Sequence, residues 1–203
     1  MDDIFPNERA IQAMKARKAG AVNPRTTSGE AATLSRSFEE LFLEHWSPIY
    51  RLLERITGDP AEAEDLAMET FYRFYRQPPK KGEGYNPGGW LYRVATNLAL
   101  NSIRSHKRRQ QYEMSAGKDS LDDLPESRPA QIFESKEEQR LTRLALSKMN
   151  SRRAELLVLR YSGMAYQDIA KTLNLSPTSV CPLLLRAERE FEKVYLALTE
   201  EEK

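Results

Sequence analysis

YQDIAKTLNLSPTSV, residues 166–180, carries the clearest structural pattern in this chain of 203 residues. Ile169 and small Ala170 form the apolar face of a short helix, Ser176 suits an N-cap, and Pro177 suits the first position of a second helix. Two short helices joined by a tight turn predict a helix-turn-helix, in which the second helix binds DNA. An ordinary helical hairpin has the same periodicity, so this stretch alone leaves both interpretations open.

Apolar residues at three-to-four spacing predict further helices around this stretch. They are Leu141, Leu144, Ala145, Leu146 and Met149, then Leu156, Leu157 and Leu159, and finally Val180, Leu184, Ala187, Phe191 and Val194. Pro182 lies inside the last helix, where proline costs about 3 kcal/mol, so this helix either bends there or becomes regular only near Cys181. These helices predict a domain at 137–198, followed by a tail at 199–203.

The first half of the chain shows the same periodicity. Phe38, Leu41, Phe42 and Trp46 open an apolar stripe that continues to Ile56 and predicts a helix or helix pair, and Gly58, Asp59 and Pro60 then suit a C-cap, an N-cap and a first helical position. The next helix runs to about Arg76. A third stripe starts at Trp90 and ends in the basic run RSHKRR, residues 104–109. Together these helices predict a domain at 37–109.

The remaining segments lack an apolar period. Residues 77–89 contain three prolines and four glycines and predict a long loop, which is usually functional. Residues 110–136 predict an acidic linker, and residues 1–36 predict a mobile extension. No segment alternates with period two, so the predicted fold is all-α, with two small helical domains joined by a flexible linker.

Composition excludes several classes of protein. One cysteine and two histidines cannot form a disulfide framework or a four-ligand zinc site, and nothing near the carboxylates of the second helix supplies a nucleophile. We therefore expect no cofactor, no metal and no catalytic site.

We also expect a cytoplasmic protein without membrane insertion, because no stretch approaches the ~20 apolar residues of a membrane span. A net charge of +1 means that any nucleic-acid surface arises from local clusters.

Two such clusters stand out. The run RSHKRR contains Arg104, Lys107, Arg108 and Arg109 and exceeds what a helix dipole requires for capping, so we interpret it as a phosphate-binding segment, with dipole capping as the alternative. Aromatic residues also surround the long loop. Phe71, Phe74 and Trp90 fit core positions, whereas Tyr72, Tyr75, Tyr85 and Tyr92 are candidates for stacking on unpaired bases.

The order of these segments resembles that of the extracytoplasmic-function sigma factors, the minimal alternative sigma factors of bacterial RNA polymerase. In the first domain the resemblance rests on TGD at 57–59, AEDL at 63–66, ETF at 69–71, WL at 90–91 and ATN at 95–97. In the second it rests on LRY at 159–161, IA at 169–170, LS at 175–176 and RA at 186–187. It covers about 37–109 and 137–198.

The resemblance implies a subunit that is not an enzyme. It implies promoter recognition and transcription initiation, often in a stress response, with polymerase core, promoter DNA and an anti-sigma factor as partners. Asp65, Glu69 and Arg73 would bind the clamp helices. The minus-ten strand would be bound by Lys80, Lys81, Tyr85, Asn97, Asn101, Arg104, Lys107, Arg108 and Arg109. The minus-thirty-five element would be bound by Ser176, Thr178, Ser179, Cys181, Arg186 and Arg189, in a domain that also touches the polymerase flap.

Some positions depart from the family pattern. Met68 stands where the family usually has glutamine, Asn101 replaces a frequent acid, and Cys181, Pro182 and Leu183 occupy positions that are often polar or basic. Promoter sequence is the property that these departures affect most. A one-component helix-turn-helix regulator and a helical interaction module are the alternatives. The first would have no need of the helix from Trp90 to Arg109, and the second would not bind DNA in a salt-sensitive manner.

Overall fold

The computed structural model describes residues 28–79, 85–115 and 130–201, all of whose regular structure is α-helical. The predicted all-α fold is confirmed. The seven described helices are α1 (Ser28–Thr57), α2 (Pro60–Arg76), α3 (Pro87–Ser115), α4 (Ala130–Lys148), α5 (Ser151–Tyr161), α6 (Tyr166–Leu173) and α7 (Pro177–Glu201). Helices α1 to α3 form an N-terminal lobe and α4 to α7 a C-terminal lobe, which correspond to the two predicted domains.

Several predicted boundaries need correction. Helix α1 begins at Ser28 and is a single helix that contains Pro48, so the end of the predicted extension at 1–36 is helical. Helix α3 continues to Ser115 and α4 begins at Ala130, so both helices enter the predicted linker at 110–136. Residues 1–27, Lys80, Lys81 and 116–129 lie outside the described residues.

Local capping explains where several helices begin and end. Gly58 adopts φ +75°, and Asp59 accepts hydrogen bonds from Ala61 N at 2.8 Å and Glu62 N at 3.4 Å, as predicted for the turn between α1 and α2. Asn174 ends α6 in the left-handed conformation with φ 52°, which turns the chain toward α7. Helix α7 is continuous from Pro177 through Pro182, so the alternative in which the helix becomes regular only near Cys181 is wrong.

One apolar core extends through both lobes. In the N-terminal lobe Phe42 packs on Phe71 with ring centroids 4.8 Å apart, and both side chains are fully buried. Buried side chains of the C-terminal lobe, including Leu159 and Ile169, belong to the same contiguous cluster. Helix α3 contacts α4, α5 and α6. The lobes are therefore packed against each other, which determines what their surfaces can reach.

Candidate nucleic-acid interface

Four polar residues predicted to bind the minus-ten strand share one face of α3. Asn97, Asn101, Arg104 and Arg108 recur at spacings of three or four residues, which places them on a single stripe. This stripe faces the C-terminal lobe, because two of its side chains bond to α4, α5 or the turn between them. The predicted DNA surface on α3 is therefore in large part an interlobe surface in this structure.

Asn97 contacts a buried carboxylate. Its Nδ2 donates to Glu155 Oε1 at 3.1 Å, and Glu155 is only 4% exposed. Arg93 Nε lies 3.3 Å from the same oxygen, and Arg152 Nη1 lies 3.4 Å from Oε2. A buried carboxylate needs such partners, because desolvation of an unpaired charge is costly. Glu155 thus joins α3 to α5 through two donors, Asn97 and Arg93, while Arg152 pairs with it within α5.

Two further contacts extend this junction to α6. Arg93 Nη1 donates to the carbonyl oxygen of Thr172 at 3.4 Å. Gly89, at the start of α3, packs so closely on Thr172 that a Cβ at Gly89 would collide with its hydroxyl oxygen. The first helix of the helix-turn-helix therefore rests directly on the N-terminal end of α3.

Arg104 contacts the turn between α4 and α5. Its Nε donates to Ser147 O at 3.3 Å and its Nη2 donates to Met149 O at 3.4 Å. Burial lowers the pKa of Arg104 from its usual value, although the guanidinium remains charged at neutral pH. Beyond Arg104, Arg108 and Arg109 are exposed and Lys107 is half-buried, and Lys107 and Arg108 lie with the exposed Asn101 beside Arg104 in a polar cleft. Exposed cations at this end of α3 are able to reach phosphate groups.

The loop before α3 presents one aromatic side chain. Tyr85 is 39% exposed, which leaves its ring accessible for stacking on a base. Tyr75 instead makes an edge contact with Phe38 at 5.5 Å between centroids, although it too is 40% exposed. The predicted core positions of Phe71 and Phe74 are confirmed, and Trp90 is partly buried against Phe74.

The predicted polymerase-binding residues lie on the outer face of α2. Asp65 is exposed, and Arg73 Nε donates to Glu69 Oε1 at 2.7 Å in an i,i+4 pair. Such a pair orders both side chains without burying them, and it contributes only about 0.3–0.5 kcal/mol to helix stability. This face is therefore available to a partner.

The helix-turn-helix presents a polar surface at the start of α7. Val180 and Leu184 are buried against the core, as predicted for a recognition helix. Exposed side chains on the same helix or just before it are Ser176, Thr178, Cys181, Arg186 and Arg189, and Ser179 is half-buried. The Ser176 hydroxyl lies 2.8 Å from the hydroxyls of both Thr178 and Ser179. Arg189 also lines an apolar groove between α1, α4, α5 and α7, so it lies apart from the other residues of this surface.

Sequence reasoning missed the groups that join the lobes, above all Glu155 and Arg93, and it missed Arg152, which pairs with Glu155 within the C-terminal lobe. A signal for Glu155 is present, since it is the sole acid of α5 and precedes the buried run Leu156–Leu159. Arg143 was also missed. Its guanidinium lies against Gly58, where a Cβ would be 2.6 Å from Nη1, and burial, with the charge of Arg140, lowers its pKa.

Comparison with known proteins identifies both lobes. Sigma-70 region 2 matches residues 41–109 and sigma-70 region 4 matches residues 139–190, which together are more than half of the chain. The chain belongs to the sigma-70 family. Region 2 thus coincides with the N-terminal lobe and region 4 with the C-terminal lobe, in the order that the sequence motifs predicted. The resemblance to the extracytoplasmic-function group is confirmed.

Individual relatives agree with this assignment. The chain is 31% identical over 176 residues to the ECF RNA polymerase sigma factor SigE of Mycolicibacterium smegmatis, a match that covers 84% of this chain and 65% of SigE. It is 37% identical over 79 residues to the ECF RNA polymerase sigma factor SigL of Mycobacterium tuberculosis, which covers 38% of this chain and 45% of SigL. The chain thus spans less than two thirds of these first relatives.

A solved structure shares the fold. The chain superposes on CnrH, whose structure was determined in complex with the cytosolic domain of CnrY. The TM-score is 0.50 and the identity 17%, over 93% of this chain and 98% of CnrH. In the described part of the chain no helix is long and apolar enough to cross a membrane. Nor do those residues contain a group of three or more His, Cys, Asp or Glu side chains placed to hold a metal ion.

Proposed function

We propose that the chain is an alternative sigma factor that binds RNA polymerase core, recognises the minus-ten and minus-thirty-five elements, and promotes DNA melting for transcription initiation. One observation carries the proposal: region 2 and region 4 occur in order on one chain, each with a polar helix face suited to DNA. Sigma factors are regulatory subunits, and we propose that this chain acts as one in the cytoplasm and has no enzymatic activity of its own.

The proposed division of labour follows the lobes. Asp65, Glu69 and Arg73 on α2 would bind the polymerase clamp, and the start of α7 would enter the major groove of the minus-thirty-five element. The face of α3 with Asn97 and Arg104, together with Tyr85 and the exposed arginines beyond them, would bind the melted minus-ten strand. Lys80 and Lys81 remain part of this proposal.

This function requires the lobes to separate. Elements centred about 25 base pairs apart are about 85 Å apart along B-form DNA. In the packed arrangement Arg93 of α3 contacts Thr172 of α6 at 3.4 Å, so the two DNA-binding faces cannot span that distance. Asn97 must also leave Glu155 before its amide can contact a base. We therefore propose that the packed lobes are the resting form and that polymerase binding opens it.

An anti-sigma factor is a further proposed partner. The groove between α1 of the N-terminal lobe and α4, α5 and α7 of the C-terminal lobe has a volume of about 680 Å³, and its lining includes Leu52, Leu146 and Leu157. Tyr161 and Leu185 lie beside it with 69% and 49% of their surface exposed. Contiguous exposed apolar surface of this kind is typical of a protein-binding site. A partner in this groove would hold the lobes together.

The experiment that tests the function combines the chain with bacterial RNA polymerase core and a genomic DNA library, and maps the transcription starts. A sigma factor yields starts that share a pair of upstream elements and that require both core and chain. Specific DNA binding by the chain without any effect on core would favour a one-component regulator. Absence of salt-sensitive DNA affinity in either condition would favour an interaction module.

A further inference from the structure

A polar cleft of about 550 Å³ lies between the middle of α3 and the junction of α4 with α5. Asn101, Arg104, Lys107 and Arg108 line it from the N-terminal lobe, and Ser147 and Ser151 line it from the C-terminal lobe. Three cationic side chains therefore share the cleft with three neutral polar residues. Among the residues that the structure describes, no carboxylate contributes to this lining.

The cations of this cleft are held close together on one helix. Arg104 and Arg108 are separated by four positions and Arg104 and Lys107 by three, and like charges at these spacings destabilise an isolated helix. The bonds from Arg104 to Ser147 O and Met149 O fix its guanidinium across the lobe boundary. The cleft therefore presents an ordered positive charge that a polyanion would stabilise.

We propose that this cleft binds a small anion carrying two or more phosphate groups, and that it does so only while the lobes are packed together. The volume falls in the range of about 300–1,000 Å³ that is usual for small-ligand sites. More than one phosphate is expected because three cations line the site, and arginine guanidinium groups bind phosphate oxygens in pairs. One wall of the site belongs to each lobe, so separation of the lobes removes the site.

Binding would consequently favour the closed form. A ligand that binds one conformation stabilises it by an amount that grows with ligand concentration. The same Arg104, Lys107 and Arg108 are assigned above to DNA, so the small anion would oppose promoter binding both by occupying these cations and by holding the lobes together. Binding of the anion does not rest on the proposed function, because it is measured on the chain alone, whereas its opposition to promoter binding does rest on that function.

The test is titration of the full chain with tripolyphosphate by calorimetry, at an ionic strength kept constant with sodium chloride. The decisive variant is Ser151→Glu, which places a carboxylate in the cleft at the first position of α5, where the helix dipole favours an acid. The matched control is Gln167→Glu, which adds the same charge at an exposed position in the first turn of α6. Ser147→Glu repeats the test from a second helix.

We expect tripolyphosphate to bind the unchanged chain. Ser151→Glu and Ser147→Glu should each weaken its affinity by roughly tenfold or more, because an added negative charge within several ångströms repels the ligand directly. Gln167→Glu should change the affinity by no more than about twofold. The proposal is overturned if tripolyphosphate does not bind at constant ionic strength. It is equally overturned if all three variants bind alike, because affinity would then reflect diffuse charge alone.

A second measurement distinguishes a small phosphate ligand from the phosphates of nucleic acid. A donor dye on Cys181, the one cysteine of the chain, and an acceptor introduced by Arg76→Cys report the distance between the lobes. Tripolyphosphate should lower the open fraction. A short single-stranded DNA should raise it, because the DNA contacts on α3 become accessible only on opening. If both ligands raised the open fraction, the cleft would not be a site of the closed form, and it would instead be assigned to nucleic acid.

Discussion

The side-chain amide of Asn97 donates a 3.1 Å hydrogen bond to Glu155, a residue 58 positions later in the chain and in the opposite lobe. Asn97 is the amide that we assign to promoter DNA, so its partner in this structure is a carboxylate in place of a nucleic acid. Arg93 and Arg152 lie against the same carboxylate.

Glu155→Gln should loosen the contact between the lobes. Loss of one partner from a buried ionic network costs up to several kcal/mol of stability. Because Arg93 and Arg152 are about half exposed, we expect the free energy of unfolding in urea to fall by about 1–2 kcal/mol. The matched control is Glu137→Gln, which removes an exposed pair with Arg140 and should cost no more than about 0.5 kcal/mol. Equal urea midpoints for the two variants would show that Glu155 does not hold the lobes.

Asn97→Ala should reduce open-complex formation without weakening binding to core polymerase, because Asn97 is assigned to the melted strand, and its loss removes only a contact that holds the lobes closed. Permanganate reactivity of the minus-ten region measures melting, and fluorescence titration measures core binding. Gln167→Ala, which removes an exposed amide elsewhere, is the control. A parallel loss of melting and core affinity would indicate that the variant misfolds.

Replacement of both Arg108 and Arg109 by alanine should weaken binding to all promoters by a similar factor. Each lost phosphate contact should reduce the slope of log affinity against log salt by about 0.7–0.9. The control replaces Lys136 and Lys193, two exposed lysines of the C-terminal lobe. Promoter-selective loss in the arginine variant, measured over several sequences, would contradict a contact with the backbone alone.

Asp65→Ala should weaken binding to core polymerase by about fivefold or more, the loss typical of a contributing interface residue. Its neighbour Glu64 is also exposed but lies about 100° away around the helix, so Glu64→Ala is the matched control. Helix content by circular dichroism should be the same for both variants. Similar core affinities for the two would place the polymerase contact elsewhere.

Pro182→Ala should stabilise α7. Proline inside a helix removes one backbone hydrogen bond and meets the carbonyl four residues earlier, that of Thr178, at a cost of about 3 kcal/mol. Pro182 is exposed, so its replacement leaves no cavity, and Pro177→Ala at the first helical position should be nearly neutral. Thermal unfolding measures stability, and transcription from a library randomised in the upstream element measures base preference. Unchanged preference would limit Pro182 to a structural role.

Most of the fold was predictable because its signals are local. Capping preferences predict the turn at Gly58, Asp59 and Pro60 and the start of α7 at Pro177, and the apolar period predicts α6. Helix ends without such signals were misplaced: α1 begins before its apolar stripe, and α3 continues through a polar segment to Ser115. Apolar periodicity records which face of a helix is buried, and it does not mark where an exposed helix stops.

The sequence by itself determined the features that depend on neighbours in the chain, chiefly the helices, their order and the family motifs of both lobes. Only the tertiary structure decided that Asn97 meets Glu155, that Arg104 reaches the carbonyls beyond α4, and that Gly89 rests on Thr172. These pairs are far apart in sequence, and the Asn97 amide and the Arg104 guanidinium are equally compatible with solvent or with DNA. Their partners follow from how the lobes pack, because the same polar face of α3 serves either an intramolecular carboxylate or a nucleic acid.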